Sequence, residues 1–402
     1  MAQDVLLGQI QNKVRNLEVP VSITLWDGRR VGTADGADVD VMIRSPKVLT
    51  ALVHPSMGKL ARHYVEQQLD LKGEPRQIMR LGEALSGTPG PGAGTSVRLW
   101  KWIGHTRVFD RKAIRHHYDV SDDFYGLWLD ARRVYSCGYF RRADDTLDMA
   151  QEQKLDHICR KLMLKPGERF LDIGCGWGAL VRWAAQLYKV RATGITLSQN
   201  QYEYARQRIQ EENLGELCDV QLLDYRDIPE REPYDKIASV GMFEHVGRKN
   251  LPVYFGKIFR LLKPGGLVMN HGITLNSPEQ RELGSDIGSF IDEYVFPGGE
   301  LTHISHVLAE MAEQGLESWD VESLRQHYAR TLWHWVERLE GNAERALAYV
   351  GEKKYRVWRI YMAGSAHAFE RGWMSIYQVL GGKPLPNGRL GVPSTREYMY
   401  AA

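Results

Sequence analysis

Three glycines, Gly174, Gly176 and Gly178, follow the apolar run Arg169-Phe170-Leu171-Asp172-Ile173 and precede a helix-like pattern beginning at Ala179. This order reads as a strand, a tight turn and a helix N-terminus. Glycine lets the backbone turn sharply and approach a ligand closely, and the free N–H groups of a helix start can face that ligand. The spacing is not the dinucleotide fingerprint G-x-G-x-x-G. Further along, residues able to do chemistry recur where strands are expected to end: Thr196, Ser198 and Gln199, then Asp224 and Tyr225, then Glu244 and His245, then His271. In open parallel sheets, ligands bind beyond the carboxyl ends of the strands. Five such ends in register point to an adenosyl-type ligand.

The elements that must hold these residues follow from periodicity. After the glycine loop a helix runs from Ala179 to Tyr188. A second strand covers Val190 to Ile195, and a polar helix starts near Gln199. A third strand runs from Asp219 to Leu222 and a fourth from Lys236 to Val240. A helix covers Leu251 to Leu262. The turn Lys263-Pro264-Gly265-Gly266 leads into a fifth strand, Leu267 to Asn270, followed by His271. Alternating strands and helices predict a doubly wound α/β sheet. Helical spacing continues from Val321 to Glu340 and again through Trp358, Tyr361, Met362 and Phe369. Trp373 to Leu380 reads as a closing strand, and the tail from Pro384 to Ala402 as an extended surface segment.

Ahead of this core, residues 1–87 read as a small α+β unit with no obvious chemistry. Strands are expected at Val19 to Asp27 and Val39 to Ile43, a helical stretch from Pro46 to Leu69 interrupted at Pro55, and a helix from Gln77 to Leu85. Residues 88–114 form a linker, rich first in Gly and Pro and then in basic and aromatic residues, including Arg98, Trp100, Lys101, Trp102, Arg107, Phe109 and Arg111. Such a stretch suits an anionic bilayer surface or the mouth of a lipid pocket; an ordinary solvated basic face is the alternative. The third unit is 115–402.

Composition is that of a globular protein, 43% hydrophobic and 25% charged over 402 residues. A formal net charge of +2 gives no global field for nucleic acid. The four cysteines, Cys137, Cys159, Cys175 and Cys218, lack zinc-site spacing and read as reduced thiols of a cytoplasmic protein. No metal is expected. No signal peptide is evident at Met1-Ala2-Gln3-Asp4, and no apolar run is long enough to span a bilayer. Membrane contact is therefore expected to be peripheral, at the inner face.

Several separate motifs occur in one order: His117-Tyr118-Asp119-Val120-Ser121-Asp122-Asp123-Phe124-Tyr125, Tyr135-Ser136-Cys137-Gly138-Tyr139-Phe140, Leu171 to Gly178, Gly194-Ile195-Thr196-Leu197-Ser198-Gln199, Gly241-Met242-Phe243-Glu244-His245-Val246-Gly247, Phe296-Pro297-Gly298-Gly299-Glu300, and His327-Tyr328-Ala329 with Thr331, Leu332 and Trp335. Together they resemble the cyclopropane-fatty-acyl-phospholipid synthases and the related mycolic acid methyltransferases. The likeness runs from about His116 to the C-terminus. It implies a class I S-adenosylmethionine (SAM)-dependent methyltransferase with a Rossmann-like sheet. The implied reaction adds a methylene to the cis double bond of an unsaturated phospholipid acyl chain through a carbocation. A sibling reaction giving a methyl-branched or methylene product is the alternative.

The resemblance further implies that SAM is held by Tyr135, Ser136, the glycine loop with Asp172, Thr196, Leu197, Ser198, Gln199, Gln201, Asp224 and Tyr225. The acid that commonly ends strand two in methyltransferases is replaced by Thr196-Leu197-Ser198. It also implies a bound bicarbonate base held by Cys137, Glu244, His271 and Tyr328, with the Ile273 backbone as a further contact. Taken singly, Cys137 reads equally as an inert buried thiol, His271 as a core histidine, and Glu244 as a salt-bridge partner of His245 or Arg248. His245 is expected to point elsewhere. Cation-facing aromatics are expected among Tyr139, Phe140, Phe243, Tyr294, Phe296 and Tyr328. Asn276 to Gly299 reads as a lid or as a plain connection. A homodimer is expected from family analogy.

Overall fold

The computed structural model describes residues 2–15, 17–32, 37–87, 121–278 and 286–400. The linker 88–114, its basic aromatic stretch, the first four residues of the 117–125 motif, and 279–285 of the candidate lid lie outside the described residues.

The central sheet contains β5 (Arg169–Ile173), β6 (Arg191–Thr196), β7 (Cys218–Leu222), β8 (Tyr234–Val240), β9 (Leu262–Leu275), β11 (Glu317–Ser323) and β12 (Met374–Gly382), with β10 (Thr302–His303) paired to β9. The spatial order is β11-β12-β9-β8-β5-β6-β7. Strands β5 to β9 pair parallel; β12 runs antiparallel to β9 and β11. Chain order reverses at β5, which sits between β6 and β8. That reversal opens a crevice at the carboxyl edge of β5. The architecture is the Rossmann-like methyltransferase fold expected from the alternating pattern.

Local chemistry explains the frame. Phe170 to Ile173 are buried along their length, as an interior parallel strand requires. Gly174, Gly176 and Gly178 all take positive φ, +83°, +54° and +78°, so the turn after β5 favours glycine at each position. Ser198 caps the helix Gln199–Glu211 by accepting from the Gln201 amide, and Thr146 caps Leu147–Lys161 in the same way from Met149.

Three expectations change. The fifth strand is longer than Leu267 to Asn270: β9 has 14 residues, because β12 pairs along it from Leu267 to Leu275 and keeps its ladder satisfied past His271. His271 is therefore inside a strand and not beyond its end. Val321 and Glu322 belong to β11 and not to a helix; the helix runs Arg325–Gly341. The C-terminal tail is not simply extended, since Glu397–Tyr400 forms a helical turn that buries Met399 and lies near Leu147–Lys161.

The first 87 residues build a separate four-stranded sheet, β2-β1-β3-β4, from β1 (Val21–Thr24), β2 (Arg30–Gly32), β3 (Val39–Ile43) and β4 (Leu69–Gly73). Pro55 separates the helices Lys47–Val53 and Met57–Val65 as its missing N–H demands. The strand β4 and the helix Ala2–Val14 carry too weak a pattern to be read in advance. This unit docks on the helix Ala343–Glu370. Arg356 reaches across and donates to the Tyr64 and Leu69 carbonyls at 2.9 and 3.1 Å and to the Asp70 carboxylate. His367 pairs with Glu83 at 2.8 Å, and Arg62 with Glu293 on Ile287–Tyr294 at 2.8 Å. The apolar core runs on through this contact, from Tyr64 and Ile78 to Trp358 and Phe369. Arg356→Ala would leave two carbonyls and a mostly buried carboxylate short of a donor. It should lower unfolding stability by about 3 kcal/mol and hasten proteolytic release of the N-terminal unit, read by thermal melts and limited proteolysis.

Candidate active site

Two cavities meet at the carboxyl edge of the sheet. The first lies over the β5 turn, and its lining includes Asp172, Gly174 and Gly176 together with Thr196, Leu197, Gln201, Asp224 and Tyr225. Tyr135 and Ser136 close it from the other side. Three expected contacts do not line it. Gly178 starts the helix Ala179–Tyr188 and packs on the helix Gln199–Glu211; a Cβ there would lie 2.9 Å from the Ala205 Cβ. Ser198 serves as a helix cap. Gln199 points outward, its amide donating to Glu203 at 2.6 Å. Asp224 accepts from its neighbour Arg226, whose Nε and Nη2 reach it at 2.8 and 2.7 Å.

Two buried charges at this cavity are tuned by their surroundings. Burial raises the Asp172 carboxyl to about 7 against the pull of Lys154, and its Oδ1 has no hydrogen-bond partner. Burial lowers the Lys154 ammonium to about 8, and its Nζ donates to Ser136 Oγ at 2.7 Å. Nothing in the polar run Gln151-Glu152-Gln153-Lys154 marks Lys154 in the sequence; in the helix Leu147–Lys161 it is buried with Ala150, Gln151 and Leu155.

The second cavity gathers Cys137, Glu244, His271, Ile273 and Tyr328 from four separate segments, His271 and Ile273 both lying on β9. Glu244 sits in a single 3-10 turn, Phe243–His245, laid against β9. The close approach needs Gly272, where a Cβ would drive into the Phe243 ring and stand 2.9 Å from Glu244 Oε1. In this seat Glu244 Oε1 accepts from the Ile273 amide at 2.7 Å, while Oε2 has no partner. The Ile273 N–H, expected to face the ligand, is thus directed at Glu244. No ion pair from Glu244 to His245 or Arg248 appears among the described residues; the Arg248 amide donates to Glu300. Burial raises the Glu244 carboxyl to about 7, with the Ile273 bond pulling the other way.

His271 is fully buried and held well below its ordinary pKa by burial, so the ring is neutral. Gln378, its register partner on β12, places Nε2 3.3 Å from His271 Nδ1. With the amide in that orientation Nδ1 accepts, leaving the hydrogen on Nε2, which has no partner. Burial also pushes the Cys137 thiol up, so it stays neutral, with Sγ 3.2 Å from the Gly138 carbonyl oxygen. Of the six expected aromatics, only Phe296 and Tyr328 line this cavity, joined by Tyr361 and Phe369. Tyr139 stacks between His157 and His327, Phe140 lies under Arg330, and Tyr294 donates to Glu66; Phe243 packs at Gly272.

Tyr135, Ser136, Gly241 and His245 line both cavities. His245 therefore faces the site and not away from it. A nucleoside-bearing ligand in the first cavity would end where the second begins.

A sequence profile of the mycolic acid cyclopropane synthetase family matches residues 105–379. The chain belongs to that family. It is 46% identical to a probable fatty acid methyltransferase of Pseudomonas putida over 98% of this chain and 100% of that one. It is 38% identical to cyclopropane mycolic acid synthase 1 of Mycobacterium tuberculosis over 66% of this chain and 94% of the relative. Among solved structures, a mycolic acid cyclopropane synthase complexed with SAH and CTAB superposes with a TM-score of 0.65 at 36% identity, covering 68% of this chain and 98% of that one. Family, fold and site together make this chain a SAM-dependent methyltransferase. The first cavity fits that cofactor: a buried, unpartnered Asp172 oxygen and a glycine-lined approach stand ready for a polar nucleoside.

The raised Glu244 value has a thermodynamic consequence. A carboxyl lifted from 4.5 to about 7 on folding contributes fully below pH 4.5, and that contribution is lost as pH rises to about 7. Relative to the parent, a Glu244→Gln variant should gain up to about 3 kcal/mol between pH 4.5 and pH values above 7. Paired denaturant melts at the two ends of that range check it.

Proposed function

We propose that this enzyme transfers a methylene from SAM to the cis double bond of unsaturated phospholipid acyl chains and closes a cyclopropane ring. The observation that carries the reading is the meeting of the two cavities: a nucleoside-sized site opens onto an aromatic-walled chamber holding the unpartnered Glu244 Oε2 and His271 Nε2.

When bound, SAM supplies an electrophilic methyl group. Tyr135, Ser136 and Gln201, with Asp172 and Thr196, would hold the cofactor in the first cavity, beside the wall that it shares with the second. The apolar chamber keeps water from the alkene and from the cation that forms on it. The faces of Phe296, Tyr361 and Phe369 stabilise that cation, by up to about 2 kcal/mol where desolvated. A proton must then leave the new methyl. Glu244, Cys137, His271 and Tyr328 would hold a bicarbonate ion, which would supply the base. The residues suit it, because bicarbonate both donates and accepts: the Glu244 carboxylate is an acceptor and His271 Nε2–H a donor. Glu244 orients that ion and can take its proton onward.

The phospholipid reading rests on sequence: the basic, tryptophan-bearing stretch between 98 and 115 suits an anionic bilayer. No described helix is long and apolar enough to cross a membrane. The enzyme would then work from the inner membrane surface, as a homodimer offering paired platforms. A second reading, a methyl-branched or methylene product, is favoured by the name of the Pseudomonas putida relative.

Incubation of the purified protein with SAM and vesicles of cis-monounsaturated phospholipid should add one CH2 per acyl chain, with cyclopropyl proton signals in the high-field NMR region. The same mass gain with a branch or exocyclic methylene would move the assignment to the second reading. Glu244→Gln should lower turnover by about three orders of magnitude, the scale of losing a positioned acid–base group. SAM affinity by calorimetry should stay within about twofold, because Glu244 does not line the first cavity. Near-normal turnover in that variant would remove Glu244 from the proton path.

A further inference from the structure

A third opening lies where the N-terminal unit meets the core. Its walls are Leu60, Ile78 and Leu81 from the N-terminal unit, facing Phe290 and Ile360. It measures about 970 Å3 including the space that merges with solvent, and none of its lining residues is charged. It is not isolated. Ile291, Tyr361, Ser365 and Met374 line both this opening and the catalytic chamber, so the two adjoin across one layer of side chains.

The space is held open by two helix-interior glycines on facing elements. Gly82 lies in Pro75–Ser86 and Gly364 in Ala343–Glu370. A Cβ on Gly82 would come no closer than 3.8 Å to another residue, and one on Gly364 no closer than 3.9 Å. Glycine weakens a helix interior relative to any ordinary side chain. Neither position requires it for backbone reasons, and neither is crowded. What both glycines do is leave volume beside the catalytic chamber.

We propose that this opening receives the methyl-terminal tail of the acyl chain, so that the N-terminal unit forms part of the substrate site. The inference rests on the acyl-chain reading above and names a subsite for it. With the double bond at Glu244 and His271, the chain must continue in one direction as pure hydrocarbon and in the other toward a charged headgroup. An uncharged cleft adjoining the chamber suits the first and excludes the second, since a headgroup would lose its hydration without a partner there. Each methylene of the tail removed from water adds to binding.

The test compares Gly82→Leu and Gly364→Leu with the parent on two vesicle substrates. Dioleoyl and dimyristoleoyl phosphatidylglycerol carry the double bond at the same distance from the carboxyl, but the second has a methyl-side tail four carbons shorter. Leucine should fill the opening from either wall and should hold or raise the melting temperature. The ratio of dioleoyl to dimyristoleoyl turnover at low substrate should fall by roughly tenfold or more in both variants. A parent-like ratio with a raised melting temperature would show a mere packing void and overturn the proposal. An equal loss on both lipids would also overturn it, since distortion of the chamber does not measure tail length. A parent enzyme inactive on both lipids but able to bind SAM would remove the acyl-chain reading itself, and this subsite with it.

Discussion

The hydrogen bond from the Ile273 amide to Glu244 is the interaction on which the catalytic chamber depends. It ties a one-turn loop from the end of β8 to the carboxyl end of β9, and it is possible only because Gly272 carries no side chain. Any Cβ there would push the Phe243 ring and the carboxylate off the strand. The same stretch of β9 places His271 two residues from Glu244's anchor, Ile273, and aligns it with Gln378 on β12. Three consecutive residues thus deliver the histidine, the clearance and the anchoring amide. The length of β9 follows from the same requirement, because its ladder must run past these residues to keep them rigid.

Burial then sets the protonation states. Around the site, Asp172 and Glu244 are raised to about 7, Lys154 is lowered to about 8, and His271 is kept neutral, in each case chiefly by desolvation. A chamber closed off from water cannot solvate its own charges. The contrast with the network behind β11 is instructive. There burial also acts against the Glu322 carboxylate, yet the His157 hydrogen bond and Lys161 outweigh it and hold the group at about 2. Paired charge serves the scaffold, while unpartnered polar atoms are left where a ligand can meet them.

An aromatic knot is built around Trp128. Phe124, Tyr125, Tyr135, Trp335 and Trp358 surround it with ring centroids 5.3 to 6.2 Å apart. Tyr135 belongs at once to this knot and to both cavities. Trp177, from the glycine loop, packs tilted against Tyr125, with ring centroids 5.0 Å apart, and donates to Asp122. The cofactor loop is therefore braced by the same packing that walls the lipid side.

Much of this was legible in the chain. The period of the core segments and the glycines after Ile173 determined a parallel sheet with a nucleoside site at its carboxyl edge, because backbone geometry there is local. The motif set placed Cys137, Glu244, His271, Ile273 and Tyr328 together, and the structure does bring them to one cavity. Local pattern did not reveal which neighbours face inward. Gly178, Ser198 and Gln199 look like ligand contacts in a linear motif, yet a helix start and its cap absorb two of them. Lys154 and Tyr361 look unremarkable in sequence and His245 looks turned away, yet all three line the site in the folded chain. The opening toward the N-terminal unit has no linear signature at all, since its walls come from five helices and three strands far apart in the chain. Spacing along a chain decides secondary structure and turns; the direction a side chain faces, and the pKa it then has, are decided only when distant segments remove it from water.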